Sequence, residues 1–435
     1  MDGAITGFKT RNAEPYSASI PGSKSFTNRA LVIAAHQIGR TVINNALICD
    51  DTIFFSKALS AFEGLDITQD GNSFIVERTS ETIIAPEEPV YFGAAGTPVR
   101  LMLSFVASAK GQTLVTGNER LSERPMKDLL DAFDTAGIQY ECKGEPGHLP
   151  VLVTGAPAKT ANWQINGSVS SQFLSSLLIH ASQQLDKPEV NVEVLNYLVS
   201  RPYIEMTLEM MKKVGLKVEE PEPNHFKVTP CRSSASEIDV EIDASAMSYL
   251  LTAAVLTHTT VKISGISRQS KQGDVGLVDV YKQMGCQVKD EGDAIIFTGA
   301  PITGIDVDME KMPDVVLSLA VAATQASSTV TITNIANLRV KECDRISAAC
   351  NELKRLGVEV EEGEDWMRIH PAKTLKPAEV KTYDDHRVAM AFSLLGLIAE
   401  GITVEEPECV SKSFPDFWVE MQRFVDFHQQ VPVEA

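Results

Sequence analysis

The sequence predicts an α/β protein of two similar domains, which contain six related units of about 72 residues each. Three observations lead to this prediction. The chain has 435 residues, more than one hydrophobic core usually organises, so two domains are expected. An apolar helical segment recurs six times along the chain, and a second, amphipathic helical segment recurs in step with it.

The first recurring segment is apolar on nearly all sides, which is typical of buried helices. One example runs from Ser25 to Ala35, and another runs from His386 to Leu397. Successive segments start 72, 73, 75, 68 and 73 residues apart, at Ser25, Thr97, Ser170, Ser245, Pro313 and His386.

The second segment starts at steps of 73, 77, 73, 70 and 71 residues, at Asp51, Arg124, Arg201, Asp274, Asp344 and Pro415. Several members end at a glycine before a short β-branched run, as at Gly215 and Gly357, which predicts a helix that leads into a strand. Further strands lie between the two helix types. Each unit is therefore predicted to contain a helix, a strand, a helix and two strands, and two groups of three units would form the two domains.

The composition is that of an ordinary globular protein, with 44% hydrophobic and 22% charged residues. A net charge of -19 argues against a general nucleic-acid or anionic-membrane binder but permits a small anionic substrate. The seven cysteines form no C-x-x-C pair, which favours reduced thiols in a cytoplasm. The longest apolar run, Val388 to Ala399, is too short to span a membrane, and no secretory signal is visible, so we expect a cytoplasmic protein.

Cationic and hydroxyl side chains gather at the starts of the apolar segments. Lys24, Ser25 and Arg29 surround the first turn of one segment, Gly96 precedes another, and Ser170 begins a third. A helix N-terminus has unpaired N–H groups and a partial positive charge, which favour phosphate and carboxylate. If these starts converge, we expect a site for a ligand with several negative charges.

Two carboxylates among the cations have two possible roles each. Asp314 follows a proline at a helix start, where it is either a helix cap or a general base. Glu342 is either an ion-pair partner or a general acid. The catalytic interpretation requires a closed cleft with little water. The other candidate anion-binding cations are Arg124, Lys341, Arg345, Arg387 and Lys412.

Nine motifs that carry these residues make the chain resemble the 5-enolpyruvylshikimate-3-phosphate synthase family. Each motif is short, but all nine occur in the family's order over nearly 400 residues. They are P-G-S-K-S-x-x-N-R-A from Pro21, A-G-T-x-x-R from Ala95, E-R-P-M from Glu123, S-S-Q-F from Ser170, R-P-Y-I from Arg201, M-P-D from Met312, R-V-K-E-x-D-R from Arg339, D-H-R-x-A-M from Asp385 and K-S-F-P-D from Lys412.

The resemblance implies a two-domain inverse α/β barrel in which each domain contains three copies of a βαβαββ unit. The lower domain would comprise residues 1–20 and 242–435, and the upper domain residues 21–241, with the active site in the cleft between them. The two domains would close around the substrates, which would align the reacting groups.

The resemblance also implies a reaction, in which phosphoenolpyruvate gives its enolpyruvyl group to the 5-hydroxyl of shikimate 3-phosphate and phosphate leaves. Asp314 would accept the hydroxyl proton, Glu342 would protonate the methylene carbon, and Lys24 would share in proton transfer. Shikimate 3-phosphate would contact Lys24, Ser25, Arg29, Ser170, Ser171, Gln172, Ser200, Asp314, Asn337 and Lys341. Phosphoenolpyruvate would contact Lys24, Gly96, Arg124, Gln172, Arg345, Arg387 and Lys412.

No metal or organic cofactor is required for this chemistry, and the sequence has no Cys/His cluster with zinc spacing. We expect a monomer that binds two small substrates and no nucleic acid. Four positions depart from the family's pattern without removing an anion-binding or proton-transfer group. Asn, Pro, Thr and Asn are usual in the family at Ala94, Leu101, Cys343 and Asp384, respectively.

Two other functions are possible. The related UDP-N-acetylglucosamine enolpyruvyl transferases share the fold but use a loop cysteine, and the corresponding segment here, Gly111 to Lys127, contains none. A DNA-encircling clamp is also built from repeated α/β units. Such clamps need basic helices along a channel, whereas the amphipathic segments here mix acidic and basic residues.

Overall fold

The computed structural model describes residues 14–429 as a mixed α/β fold with two compact units. One of them, the contiguous unit, spans Gly22–Glu241. The other, the split unit, contains the described residues on either side of that segment, 14–21 and 242–429. No helix of the described part combines the length and the apolar character that crossing a bilayer requires.

The described residues form 22 strands, 13 α-helices and five short 3-10 segments. The strands are β1 Tyr16–Ala18, β2 Gly39–Asn44, β3 Leu65–Asp70, β4 Ser73–Arg78, β5 Val90–Tyr91, β6 Gly111–Thr116, β7 Gln139–Cys142, β8 Val151–Gly155, β9 Asn162–Ile165, β10 Val190–Val194, β11 Lys217–Glu222, β12 His225–Thr229, β13 Glu237–Asp239, β14 Thr260–Ser264, β15 Gln287–Glu291, β16 Ala294–Thr298, β17 Asp306–Asp308, β18 Val330–Thr333, β19 Val360–Glu362, β20 Met367–Ile369, β21 Ala378–Val380 and β22 Ile402–Val404. The α-helices are α1 Lys24–His36, α2 Asp50–Ser60, α3 Gly96–Val106, α4 Glu119–Ser122, α5 Lys127–Ala136, α6 Ser171–Ala181, α7 Arg201–Lys213, α8 Ala244–Thr257, α9 Leu277–Met284, α10 Val316–Ala323, α11 Arg345–Arg355, α12 His386–Ser393 and α13 Phe417–Gln429. The 3-10 segments are Gly273–Gly276, Pro313–Val315, Ala336–Val340, Leu394–Leu397 and Pro407–Lys412.

The sheets of both units follow one pairing pattern. Over residues 14–429, the contiguous unit has three four-stranded sheets, ordered β13-β2-β4-β3, β5-β6-β8-β7 and β11-β12-β10-β9. The split unit has two, ordered β1-β14-β16-β15 and β17-β18-β20-β19, and a two-stranded sheet of β21 and β22. Each four-stranded sheet has one parallel pair at an edge and two antiparallel pairs, and β21 and β22 are parallel.

Two strands that are distant in sequence complete the units. In the contiguous unit β13 pairs with β2, which joins the end of the unit to its beginning. In the split unit β1 pairs with β14, and Tyr16 Oη donates to the buried Glu420 Oε1 in α13 at 2.9 Å. Ser19 N donates to the same oxygen at 2.7 Å. Residues 16–19, which precede the contiguous unit, are therefore fixed to a strand and a helix that follow it.

The apolar segments of the sequence form buried helices in both units. Every residue of α10 is buried, and in α8 only Thr257 is not. Helix α1 packs against α3 and α3 against α6, while α8 packs against α10 and α10 against α12. Their side chains supply much of the hydrophobic core of each unit.

Most helices begin within two residues of the predicted starts, which confirms the two recurring series. Three starts differ in detail. Pro313 is the first residue of a 3-10 segment before α10, and Asp274 is the second residue of a 3-10 segment before α9, a common geometry at helix N-termini. Arg124 lies three residues before α5, which starts at Lys127. The offset matters because the Arg124 side chain then belongs to a loop rather than to the helix.

A buried histidine makes the stability of the contiguous unit depend on pH. His180 is 1% exposed, stacks on Trp163 with ring centroids 5.7 Å apart, and burial lowers the pKa of His180 to about 4. The pKa of a histidine in an unfolded chain is near 6.5. As the pH falls, this side chain therefore binds a proton in the unfolded chain before it does so in the folded protein. The contribution of His180 to the unfolding free energy is therefore fully present above about pH 6.5 and is lost as the pH falls towards 4.

We predict that, between pH 7 and pH 5, the wild type loses about 2 kcal/mol more unfolding free energy than His180→Phe does. Urea unfolding at the two pH values measures this difference. The matched control is His258→Asn, because His258 is exposed at the end of α8 with a left-handed backbone that Asn tolerates. Equal pH dependence in the wild type and His180→Phe would contradict the prediction.

Candidate active site

The start of α1 holds Lys24 against the start of α2. Ser23 is the N-cap of α1, and its hydroxyl accepts a hydrogen bond from Phe26 N. The Lys24 Nζ atom lies 3.1 Å from Asp51 Oδ2. The two side chains are only 12% and 6% exposed, so their charges interact more strongly than they would in water.

Arg29, one turn further along α1, is buried and contacts only neutral groups. Its Nε donates to Thr207 Oγ1 at 2.7 Å, and its Nη2 to Ser175 Oγ at 3.1 Å. The carbonyls of Ser25 and Tyr203 accept two more hydrogen bonds. Burial lowers the pKa of Arg29 to about 10, and no carboxylate of the described residues offsets that effect. This guanidinium joins α1, α6 and α7 near their starts.

Gly96, the first residue of α3, lies directly against Arg124. A Cβ on Gly96 would lie 2.2 Å from Nη1 of that guanidinium, so any other residue at this position would force the Arg124 side chain to move. Arg124 is 6% exposed, and its buried Nε has no hydrogen-bond partner within residues 14–429. Its positive charge is therefore well placed to bind an anion.

Arg100, also in α3, organises the start of α6. Its Nη1 donates to Ser170 Oγ at 3.2 Å and to Gln172 Oε1 at 2.7 Å. Gln172 Nε2 donates to Thr97 Oγ1 at 2.8 Å, and the guanidinium lies 4.8 Å from the ring centre of Phe173. Arg100 was predicted as part of a motif but not as part of the site, because the motif does not reveal which side chains Arg100 positions.

Three further serines lie at helix starts of the contiguous unit. Ser25 is half-buried in the first turn of α1, and Ser171 is buried as the first residue of α6. Ser200 is the buried N-cap of α7, with a left-handed backbone at φ 53°. Since α7 packs against both α1 and α6, these hydroxyls belong to one group of neighbouring helices.

In the split unit, Arg345 is the centre of an ion-pair network. It is 2% exposed, and its Nε donates to Asp385 Oδ2 at 2.8 Å. Its Nη2 donates to Glu342 Oε2 at 2.8 Å, and its Nη1 to Asp314 Oδ1 at 3.2 Å. These carboxylates raise the pKa of Arg345 despite its burial, so the guanidinium is fixed and permanently charged.

Asp314 lies among three cations. Arg387 Nη2 donates to its Oδ2 at 3.0 Å, and Lys341 Nζ lies 3.6 Å from its Oδ1. Burial would raise the pKa of Asp314, but the three cations outweigh that effect, Arg387 most strongly, and hold the pKa far below its usual range. Asp314 is therefore fully ionised, and with its pKa held so low it is only a weak base until some of this positive charge is taken up by another anion.

Glu342 lies between two cations, since its Oε1 is 3.6 Å from Lys412 Nζ and its Oε2 accepts the bond from Arg345. Lys341 and Glu342 follow the 3-10 segment Ala336–Val340, in which Asn337 is half-buried. The short loop before α11 thus carries three predicted residues beside one network.

Asp274 was not predicted as part of this site. It is 4% exposed and accepts a short hydrogen bond from the hydroxyl of Ser245, in the first turn of α8. Burial and the charge of Asp314 raise the pKa of Asp274 to about 7. The sequence showed Ser245 at a recurring helix start, but nothing in it revealed that its partner is a carboxyl near Asp314.

The predicted residues form two clusters, one in each unit. The contiguous-unit cluster comprises Lys24, Ser25, Arg29, Gly96, Arg124, Ser170, Ser171, Gln172 and Ser200, together with Arg100. The split-unit cluster comprises Asp314, Lys341, Glu342, Arg345, Arg387 and Lys412, together with Asp274 and Asp385. The predicted Asn337 lies in the 3-10 segment that leads to Lys341.

Comparisons of the sequence and of the structure with known proteins lead to the same family. The family model described as EPSP synthase (3-phosphoshikimate 1-carboxyvinyltransferase) matches residues 17–421. A 3-phosphoshikimate 1-carboxyvinyltransferase of Klebsiella pneumoniae is 39% identical over 412 residues, 94% of this chain and 96% of the relative. The one of Shewanella sp. (strain ANA-3) is 37% identical over 407 residues, 92% of this chain and 95% of the relative. A solved EPSP synthase from Acinetobacter baumannii is 25% identical with a TM-score of 0.78, and the match covers 97% of each chain.

We predict that Asp385→Asn lowers the unfolding free energy by about 3 to 5 kcal/mol, because it leaves the buried Arg345 without its main partner. Urea unfolding at pH 7 measures this loss. The neighbouring Asp384→Asn is the control, since Asp384 is exposed with a left-handed backbone at φ 54° that Asn adopts readily. Equal stability of Asp385→Asn and the wild type would show that the ion pair is not required.

Proposed function

The chain belongs to the EPSP synthase family, the 3-phosphoshikimate 1-carboxyvinyltransferases, and we propose that its two clusters bind the two substrates of that reaction. It is an enzyme of the shikimate pathway, which transfers the enolpyruvyl group of phosphoenolpyruvate to shikimate 3-phosphate and releases phosphate. The observation that carries this function is the family match, which extends over both clusters.

We propose that shikimate 3-phosphate is bound by hydroxyls and cations at helix starts. Phosphate suits this environment because helix N-termini and cations both attract negative charge. The proposed contacts are Lys24, Ser25, Arg29, Ser170, Ser171, Gln172 and Ser200 of the contiguous unit and Asp314, Asn337 and Lys341 of the split unit.

For phosphoenolpyruvate, we propose binding by guanidinium and ammonium groups of both clusters. Arg124 supports this assignment, because it is buried against Gly96 with an unbonded Nε. A guanidinium of this kind suits bidentate binding of a carboxylate or phosphate. The proposed contacts are Lys24, Gly96, Arg124, Gln172, Arg345, Arg387 and Lys412.

In the proposed mechanism Asp314 accepts the proton of the sugar 5-hydroxyl while the hydroxyl oxygen forms a bond to C2 of phosphoenolpyruvate. Glu342 donates a proton to the methylene carbon, and Lys24 shares in this proton transfer. Phosphate then leaves the tetrahedral intermediate while one methyl proton returns to the Glu342 carboxylate, which restores the double bond. Anionic substrates would share the cations that now hold Asp314 ionised, which raises its pKa and makes it a stronger base.

We further propose the finer architecture that the resemblance implies, an inverse α/β barrel of six βαβαββ units with a lower domain of 1–20 and 242–435 and an upper domain of 21–241. The recurrence of one strand-pairing pattern supports it. Seven free cysteines support a cytoplasmic location, where thiols stay reduced. We also propose that the enzyme acts as a monomer that binds neither nucleic acid nor membranes and needs no cofactor.

The function is tested by phosphate release from phosphoenolpyruvate, with shikimate 3-phosphate and separately with UDP-N-acetylglucosamine as acceptor. Turnover is expected with shikimate 3-phosphate alone. Turnover with only the nucleotide sugar would overturn the assignment. Retention of DNA at low salt, without turnover in either assay, would instead indicate a clamp.

We predict that Lys24→Met and Asp314→Asn each lower kcat by a factor of about 10² to 10⁴, the contribution expected of a group that transfers a proton. Single-turnover assays measure the rate, and circular dichroism checks the fold. The controls Lys57→Met and Asp306→Asn replace exposed residues of the same types. Near-normal turnover in either test variant would remove that residue from the mechanism.

Gly96→Ala is predicted to raise the KM for phosphoenolpyruvate at least about tenfold and to leave the KM for shikimate 3-phosphate nearly unchanged. The added Cβ would overlap the Arg124 guanidinium, which must then move by about 1 Å, and such shifts are costly in active sites. Steady-state kinetics with each substrate varied measures both constants. In the control Gly144→Ala the Cβ would meet no atom closer than 3.6 Å. Unchanged kinetics in Gly96→Ala would contradict the role given to Arg124.

A further inference from the structure

The loop before α12 contains an unfavourable β-turn. Asp385 N donates to Thr382 O at 2.9 Å, and the two central residues, Tyr383 and Asp384, have φ angles of 57° and 54°. Positive φ at both central positions defines a type I′ turn, which strongly favours Gly, Asn and, to a lesser extent, Asp. A tyrosine followed by an aspartate adopts this turn only at a cost in free energy, so other contacts must hold it.

Glu352 of α11 supplies those contacts. It is 1% exposed, and its Oε1 accepts a hydrogen bond of 2.8 Å from Tyr383 Oη. Its Oε2 accepts bonds from Lys381 N at 3.1 Å and from Arg355 Nη1 at 2.7 Å. The buried carboxylate therefore binds the backbone of the residue just before the turn and the side chain of one of its two central residues.

The turn determines where two cations of the split-unit cluster lie. Its last residue, Asp385, accepts bonds from Arg345 Nε at 2.8 Å and from Arg387 N at 2.9 Å. Arg345 is the first residue of α11, and Glu352 lies seven residues later in the same helix. Helix α11 thus contacts the turn at two points, of which only the one at Arg345 lies in the proposed site.

We propose that Glu352 and Tyr383 are positioning residues for phosphoenolpyruvate binding, which hold the turn at residues 382–385 so that Arg345 and Arg387 face the substrate. This inference rests on the proposed function, because it takes the role of the two arginines from there. Neither Glu352 nor Tyr383 touches the substrate. They act through the backbone of the turn, Asp385 and the start of α12.

The predicted consequence is a loss of substrate affinity rather than a general loss of stability. Without the hydroxyl of Tyr383 the turn relaxes towards negative φ, which moves Asp385 and both guanidinium groups. A displacement of about 1 Å is enough to weaken binding by one to two orders of magnitude. The effect should be specific to phosphoenolpyruvate.

The experiment compares Tyr383→Phe with the wild type in steady-state kinetics. We expect the KM for phosphoenolpyruvate to rise roughly tenfold, which corresponds to about 1.4 kcal/mol, while the KM for shikimate 3-phosphate changes less than about twofold. Glu352→Gln, which weakens the same hydrogen bonds, should change the KM in the same direction. Tyr140→Phe is the matched control, because Tyr140 Oη similarly donates to a carboxylate, Asp134 Oδ2, at 3.1 Å in the contiguous unit.

A second variant separates positioning from a merely structural role. Asp384→Asn places a residue that favours left-handed backbone in the turn, so the double variant Tyr383→Phe with Asp384→Asn should recover most of the affinity. An unchanged KM in Tyr383→Phe overturns the inference, and so does a fall in stability without a change in KM. A raised KM that Asp384→Asn does not restore also overturns it, because the turn would then not be the cause.

Arg387→Lys distinguishes this inference from the proposed function. It should raise the KM for phosphoenolpyruvate, because a lysine lacks the guanidinium fork. If it does and Tyr383→Phe does not, only the role of the turn fails. If Arg387→Lys leaves the KM unchanged, the proposed substrate contacts fail, and the inference about the turn fails with them.

Discussion

The buried ion pair between Arg345 and Asp385 is the interaction on which the split-unit cluster depends. The Arg345 side chain is 2% exposed and that of Asp385 is not exposed, so both charged groups lose much of their hydration free energy. This loss is offset only if further hydrogen bonds satisfy both groups. Here Arg345 also contacts Glu342 and Asp314, and Asp385 also caps α12. Three chain segments are thereby fixed around one guanidinium, so the cluster is organised before any ligand arrives.

The two clusters balance charge differently. In the contiguous unit, neither Arg29 nor Arg124 has a carboxylate partner within the described residues, and both are buried. In the split unit every cation of the cluster lies within 3.6 Å of a carboxylate. These two guanidinium groups attract anions without a competing carboxylate, although Lys24 of the same cluster is paired with Asp51. In the split unit, an incoming anion must share cations with Asp314, so binding and protonation become linked.

Local chemistry explains what the sequence predicted well. Helix starts such as those of α1 and α12 follow from capping residues and from the beginning of an apolar run, so their positions were predicted within one residue. The contacts of Arg100, Asp274 and Glu352 were not predicted, because they depend on which helices pack together. The 3-10 start at Pro313 was also missed, since an α-helix and a 3-10 segment begin with the same residues.

The pairing of β1 with β14 has a consequence for biosynthesis. Tyr16–Ala18 emerges from the ribosome first, yet its partner Thr260–Ser264 is made about 240 residues later, after the entire contiguous unit. At 5 to 20 residues per second the delay is roughly 10 to 50 seconds. The contiguous unit can close through β13 and β2 during that time, whereas the split unit must wait. Translation therefore imposes an order of assembly that a refolding chain, released from denaturant all at once, does not experience.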